Sequence, residues 1–126
     1  MRILIADDDQ LGREFLIAIL EEFGECDSVE DGDEALAKYF AARRSGRPYD
    51  LICLDVIMPG QDGCQVLKQI REAEQDEEWQ SCIFIITANE TEEVIESSAF
   101  HGADNFVAKP CSANLMKRAL EQHKLI

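Results

Sequence analysis

The chain has 126 residues, 26 acidic against 12 basic, for a net charge of -14. This length holds one domain with a full hydrophobic core and is too short for two ordinary ones, so residues 1–126 are expected to form a single domain. The charge excludes the usual mode of direct nucleic-acid binding, which needs clustered Lys and Arg against phosphates, and leaves basic partners or metal ions.

Apolar runs alternate with amphipathic stretches along the chain, the signature of repeated βα units, and five such units are expected. The first strand is Ile3 to Ala6, closed by Asp7 and Asp8. Leu11, Phe15, Ala18, Ile19 and Phe23 then recur with helical spacing, which predicts a core-facing helix that ends near Gly24. Cys26 to Val29 is the second strand, followed by a helix from about Asp33 through Leu36, Tyr39 and Phe40, with Glu34 and Lys38 spaced for an i,i+4 pair. That helix stops around Ser45 and Gly46, and Arg47-Pro48-Tyr49 turns into the third strand, Leu51 to Leu54, closed by Asp55. Asp62 is a natural N-cap for a helix carrying Val66, Leu67 and Ile70.

The fourth strand, Cys82 to Ile86, is closed by Thr87, and Asn89 or Thr91 opens a helix with Val94, Ile95 and Ala99. Asn105 to Ala108 is the fifth strand, followed by Lys109 and Pro110; Ser112 opens a last helix with Leu115, Met116, Ala119 and Leu120. The first, third and fourth strands are continuously apolar, as expected for strands covered on both faces, so they belong in the middle of a parallel sheet. Right-handed crossovers with helices on both faces are the default for such a chain. Glu72, Glu74, Asp76, Glu77 and Glu78 read as solvated helix surface.

Five cysteines at 26, 53, 64, 82 and 111 contain no C-x-x-C pair and offer neither a disulfide framework nor a zinc knuckle. Cys53 and Cys82 fall inside apolar runs, which fits a reducing cytosol. No secretory leader is expected, since Met1 leads straight into the first strand, and no run is long enough to span a bilayer. A cytoplasmic, membrane-free chain is the expectation.

In an open parallel α/β sheet, ligands sit in the crevice beyond the carboxyl ends of the strands. Polar groups at those ends share a site although they lie far apart in sequence. Here that brings together Asp7, Asp8, Asp55, Thr87 and Lys109. Three neighbouring carboxylates repel one another unless a cation sits among them, and magnesium, which prefers oxygen ligands, suits such a set. Asp55 lies between apolar residues just before a Pro-Gly turn, where an unpaired charge is costly, so it requires a partner. The metal and Lys109 are the candidates. The Thr87 hydroxyl is able to bond a phosphoryl oxygen, and Phe106 is by default core.

These pieces resemble a two-component response-regulator receiver domain over nearly the whole chain. The matching segments are Ile3-Leu4-Ile5-Ala6-Asp7-Asp8-Asp9, Asp31-Gly32-Asp33-Glu34-Ala35-Leu36, Asp50 to Pro59, Asp62-Gly63, Ile85-Ile86-Thr87-Ala88, Gly102-Ala103 and Lys109-Pro110. Each is weak alone; their order and placement at strand ends make the set specific. The resemblance implies an α/β flavodoxin-like (βα)5 fold with a five-stranded parallel sheet of order 2-1-3-4-5. It implies that Asp55 is the modified residue, accepting a phosphoryl group from the phosphohistidine of a sensor histidine kinase or phosphotransfer protein. Asp8, Asp55 and the backbone carbonyl of Ile57 would ligate Mg2+ directly, with Asp7 acting mainly through water. Thr87 and Lys109 would bind the new phosphoryl oxygens, with a cis peptide before Pro110.

Phe106 would serve as the aromatic switch that follows Thr87. The surface of the fourth helix, fifth strand and fifth helix would carry the change to a downstream protein or output domain. Such a domain is no enzyme toward other substrates and catalyses only its own phosphorylation and dephosphorylation. Ile57, Asn89, Gln61, Cys111 and Phe106 in place of tyrosine depart from the commonest family pattern without removing a catalytic group. Ile57 and Asn89 stand at positions that influence how long the acyl phosphate lasts.

Other readings compete with this one. A flavin-binding module fits poorly, because the first loop lacks a phosphate cradle and its aspartates would repel a flavin phosphate. An Mg2+-dependent aspartyl phosphohydrolase usually has a second acid two residues after the nucleophile, where this chain has Ile57. A phosphorylation-independent receiver-like adaptor is the remaining alternative.

Overall fold

The computed structural model of the chain describes residues 1–88, Glu96 and 101–126. The strands are β1 (Arg2–Ala6), β2 (Glu25–Val29), β3 (Leu51–Leu54), β4 (Cys82–Thr87) and β5 (Asn105–Ala108). Four helices complete the described residues: α1 (Gln10–Leu20), α2 (Gly32–Arg44), α3 (Gly63–Ala73) and the last helix, α4 (Ala113–Gln122). All strand pairs are parallel, and the order is β2-β1-β3-β4-β5. The helix expected from Asn89 or Thr91 through Ala99 falls outside the described residues.

Alternation along each central strand divides the core into two layers. Leu4, Ala6, Ile52, Leu54, Ile83 and Ile85 pack with Leu36 and Tyr39 of α2 and with Val66, Leu67 and Ile70 of α3. Ile3, Ile5, Leu51, Cys53, Phe84 and Ile86 pack on the opposite face with Leu16 and Leu20 of α1 and with Met116, Ala119 and Leu120 of α4. Residues buried on both faces explain the continuous apolar runs of β1, β3 and β4. Side-chain caps start the helices: Asp9 accepts from Gly12 N, Asp31 from Glu34 N, Asp62 from Gln65 N and Ser112 from Leu115 N. At α3 the Gln65 side chain returns a bond to Asp62 N, which makes a capping box.

Several expectations are corrected. Leu11, Phe15 and Ala18 do not face the core: Leu11 is 75% and Phe15 49% exposed, and the buried stripe of α1 is Leu16 and Leu20. Leu115 is likewise exposed while Met116 is buried. Helix α1 stops at Leu20, and residues 21–23 form a turn before Gly24. Helix α2 begins at Gly32, with Asp31 as its cap. The Glu34 carboxylate accepts from Glu30 N instead of pairing with Lys38. Glu74 is no surface residue: it is buried, and its carboxylate accepts from Tyr39 Oη at 2.8 Å and Ser81 N at 3.1 Å and pairs with Arg71 at 2.6 Å.

Candidate functional site

The register of the central strands brings the acidic residues together. Ala6 pairs with Val29 on one side and Leu54 on the other, so the next residues continue both ladders: Asp7 N donates to Val29 O and Asp55 N to Ala6 O. Asp7 and Asp55 are both buried, whereas Asp8 is exposed. One carboxylate oxygen from each of Asp7, Asp8 and Asp55 lies within 4.8 Å of the others. Three anions at this spacing repel strongly, the more so with two of them out of water.

One cation compensates directly. Lys109, delivered just past the end of β5, places Nζ 2.6 Å from Asp7 Oδ2 and 2.7 Å from Asp55 Oδ2. Partial burial alone would lower its pKa, but hydrogen bonds and charge from Asp55 and Asp7 outweigh that and hold it above the ordinary lysine value. The remaining carboxylate oxygens are oriented by backbone: Asp7 Oδ1 accepts from Asp9 N at 2.9 Å and Asp55 Oδ1 from Ile57 N at 3.3 Å. Asp8 is left facing solvent beside this pair. An all-oxygen donor set with one exposed carboxylate fits a hard divalent cation that keeps part of its water shell.

Thr87, the last residue of β4, is buried and pairs with Ala108; its carbonyl accepts from Lys109 N at 3.0 Å. It therefore stands at the same sheet edge as Lys109. The Lys109-Pro110 peptide is cis. Ile57 follows in the loop after β3 with its side chain exposed and its backbone N–H on Asp55. Phe106 lies apart from the carboxylates: it pairs with Ile85 and is half-buried against the α2 and α3 layer. Asn89 is outside the described residues.

Two contributors, Arg13 and Gly12, went unread in the sequence. Arg13, one turn into α1, donates to the Asp7 carbonyl at 2.8 Å and pairs with Glu30, bringing a second positive charge to the acidic loop. Gly12 allows close approach, since a Cβ there would lie 2.7 Å from Asp7 Oδ2. The backbone of Gly63 packs so tightly on the Asp55 carbonyl that a Cβ would overlap it. A glycine three residues after the Asp9 cap and an Arg six residues after the first carboxylate were the available signals, but neither carries meaning until the loop is folded.

Among the described residues, no helix is long and apolar enough to cross a membrane, and none of the five cysteines is in a disulfide.

Comparison with known proteins agrees with this architecture. The family described as response regulator receiver domain matches residues 3–121. The transcriptional regulatory protein ResD of Bacillus subtilis is 40% identical over 113 residues, covering 88% of this chain and 42% of that protein. The hybrid signal transduction histidine kinase L of Dictyostelium discoideum is 35% identical over 124 residues, covering 97% of this chain and 7% of that protein. The chain thus spans less than half the length of these curated relatives, which include transcriptional regulators and hybrid kinases. Among solved structures, the CheX-CheY-BeF3-Mg+2 complex from Borrelia burgdorferi contains a chain with TM-score 0.84 and 26% identity, over 98% of this chain and 89% of that one. With its 2-1-3-4-5 parallel sheet and flavodoxin-like layering, the chain belongs to the response regulator receiver domain family of two-component signalling.

Proposed function

We propose that residues 1–126 form one phosphorylatable receiver domain in which Asp55 takes a phosphoryl group from the phosphohistidine of a sensor histidine kinase or phosphotransfer protein. The observation that carries this reading is the Lys109 ammonium held between Asp7 and Asp55 at the carboxyl edge of the sheet. A carboxylate oxygen of Asp55 attacks phosphorus, the phosphorus–nitrogen bond to the donor imidazole breaks with its electron pair going to nitrogen, and an acyl phosphate forms on Asp55. Little side-chain proton transfer is required, because positioning and charge neutralisation carry most of phosphoryl transfer.

Asp8, Asp55 and the Ile57 carbonyl would hold Mg2+, with Asp7 acting through water, and the ion would supply positive charge to the phosphoryl oxygens. Lys109 neutralises Asp55 before transfer and binds a phosphoryl oxygen afterwards. The Thr87 hydroxyl binds another. Ile57, exposed just beyond the acceptor, places apolar surface at the mouth of the site. Leu11, Phe15, Ile86 and Pro110 form an apolar depression adjoining Lys109, which suits docking of the phosphohistidine donor.

Movement of Thr87 toward the phosphoryl group changes the packing of Phe106. The surface that carries the change to a downstream protein or output domain includes β5 and the last helix, where Leu115 is exposed. The domain works in the cytoplasm, acts on no other substrate, and contacts neither nucleic acid nor membrane. Intact-mass measurement after incubation with Mg2+ and acetyl phosphate tests the central step. A single phosphoryl adduct is expected, dependent on Mg2+ and absent from Asp55→Asn; equal labelling of that variant would overturn the assignment.

A further inference from the structure

Strand β5 delivers Lys109 to the site. It is four residues long, lies at an edge, and has β4 as its single partner strand. Its ladder begins with Asp104 N donating to Ile83 O at 2.8 Å and ends with Lys109 N donating to Thr87 O at 3.0 Å. An edge strand this short depends on what fixes its ends.

The fixing at its start comes from two side chains, Arg71 and Asp104. Arg71, near the end of α3, is largely buried, and its guanidinium spends all three nitrogens on three separate segments. Nε donates to Gly102 O at 2.9 Å and Nη2 to Asp104 Oδ2 at 2.7 Å, both in the turn that opens β5. Nη1 donates to Ser81 O at 2.7 Å, at the start of β4, and to Glu74 Oε1 at 2.6 Å. Asp104 Oδ2 also accepts from Ile83 N at 2.8 Å, so the carboxylate that meets Arg71 is bonded to β4 as well. Glu74 extends the network to α2 through Tyr39. Charge-assisted bonds from a rigid, planar fork fix both distance and direction, which a lysine ammonium cannot do at four acceptors.

We propose that Arg71 and Asp104 are positioning residues for the site: they pin the turn at 101–104 to α3 and β4, and through β5 they set the packing of Phe106 and the delivery of Lys109 between Asp7 and Asp55. The pair touches no reacting atom. Its effect on phosphoryl transfer rests on the function proposed above, whereas its effect on β5 does not.

The test is residue-resolved amide exchange on the whole chain, paired with the rate of acetyl phosphate labelling at Asp55. Asp104→Ala removes the carboxylate that joins Arg71 to Ile83 N, while the Arg71–Glu74 pair and the bond from Arg71 Nε to Gly102 O stay in place. It is expected to speed exchange at the amides of 104 and 109 by roughly tenfold or more while β1 and β3 are unchanged. Labelling should slow by at least about threefold at an unchanged half-saturating donor concentration, as expected when positioning rather than binding is lost. Asp104→Asn, which retains one acceptor, should fall between.

Because Arg71→Gln alone would strand the buried Glu74 carboxylate, the double variant Arg71→Gln with Glu74→Gln removes the clamp without a stranded charge. It should reproduce the exchange pattern of Asp104→Ala. Unchanged exchange at Lys109, or a uniform rise across all strands, overturns the proposal. If the parent protein takes no label while exchange at Lys109 still rises, the phosphoacceptor reading fails and the positioning of β5 stands.

Discussion

The ammonium of Lys109 lies 2.7 Å from Oδ2 of Asp55, across 54 residues of sequence. The same nitrogen holds Asp7, so Lys109 bridges the two buried carboxylates. Replacing Lys109 with Met should leave two buried carboxylates facing each other and cost about 2 kcal/mol of stability in chelator. It should also abolish acetyl phosphate labelling of Asp55. Magnesium should raise the melting temperature of this variant more than that of the parent, because the ion then supplies the missing neutralisation. Paired thermal melts with EDTA and with Mg2+ check the prediction; an equal magnesium increment in both proteins contradicts it.

Asp8 makes the complementary case. It is exposed and belongs to the three-carboxylate cluster, so in the absence of metal it contributes repulsion. Asp8→Asn should therefore melt higher than the parent in EDTA, yet bind Mg2+ at least about tenfold more weakly by calorimetric titration. Stabilisation without loss of magnesium affinity would remove Asp8 from the proposed ligand set.

Much of this site was legible because its parts sit at strand ends. Continuous apolar runs located β1, β3 and β4, and residues placed directly after such runs have to emerge at one sheet edge. The caps Asp62 and Ser112 were legible from local chemistry alone. The rotation of α1 was not. Leu11, Phe15 and Ala18 form one helical stripe and Leu16 and Leu20 another, and periodicity does not say which stripe the sheet covers. Glu74 was misread for a related reason: it stands in an acidic run, and its partners Tyr39 and Ser81 belong to other segments. Arg13 and Gly12 gain their roles only from the fold of the Asp7 loop.

Both tyrosines of the chain are buried donors to carboxylates, which gives an optical test of the packing at pH extremes. Burial, then the hydrogen bond to Glu74, raises the Tyr39 phenol well above its ordinary 10.0. Burial, then the bond to Asp27, does the same for Tyr49. A group whose pKa is raised on folding gives stability that is fully present below its unfolded value and is lost as pH rises through the folded value. Burial also pushes the Cys82 thiol up to about 12, so it adds to the same trend from its ordinary 9.0 upward. Stability to urea should therefore hold up to about pH 9 and fall beyond it. Phenolate absorbance at 295 nm should stay flat through pH 10 in the native protein and titrate normally in urea. A normal native titration of either tyrosine would contradict these burial and hydrogen-bond assignments.

His123 offers a route to a more stable protein that leaves the site untouched. It caps the last helix through its backbone N–H, which bonds Ala119 O at 3.1 Å. Its ring lies against Phe84, with centroids 5.2 Å apart. Nε2 is buried and, among the described residues, has no hydrogen-bond partner. A buried polar atom without a partner carries a desolvation cost that an apolar ring of the same shape avoids. The capping bond uses no side-chain atom, so substitution leaves it in place. His123→Phe is therefore expected to gain about 1 kcal/mol in urea unfolding at pH 8 with an unchanged slope against denaturant. His123→Ala should lose stability, because it gives up the ring contact with Phe84 and opens space beside it. Acetyl phosphate labelling of Asp55 should be unchanged in the phenylalanine variant. A loss of stability there would mean that His123 Nε2 contributes a favourable interaction in solution.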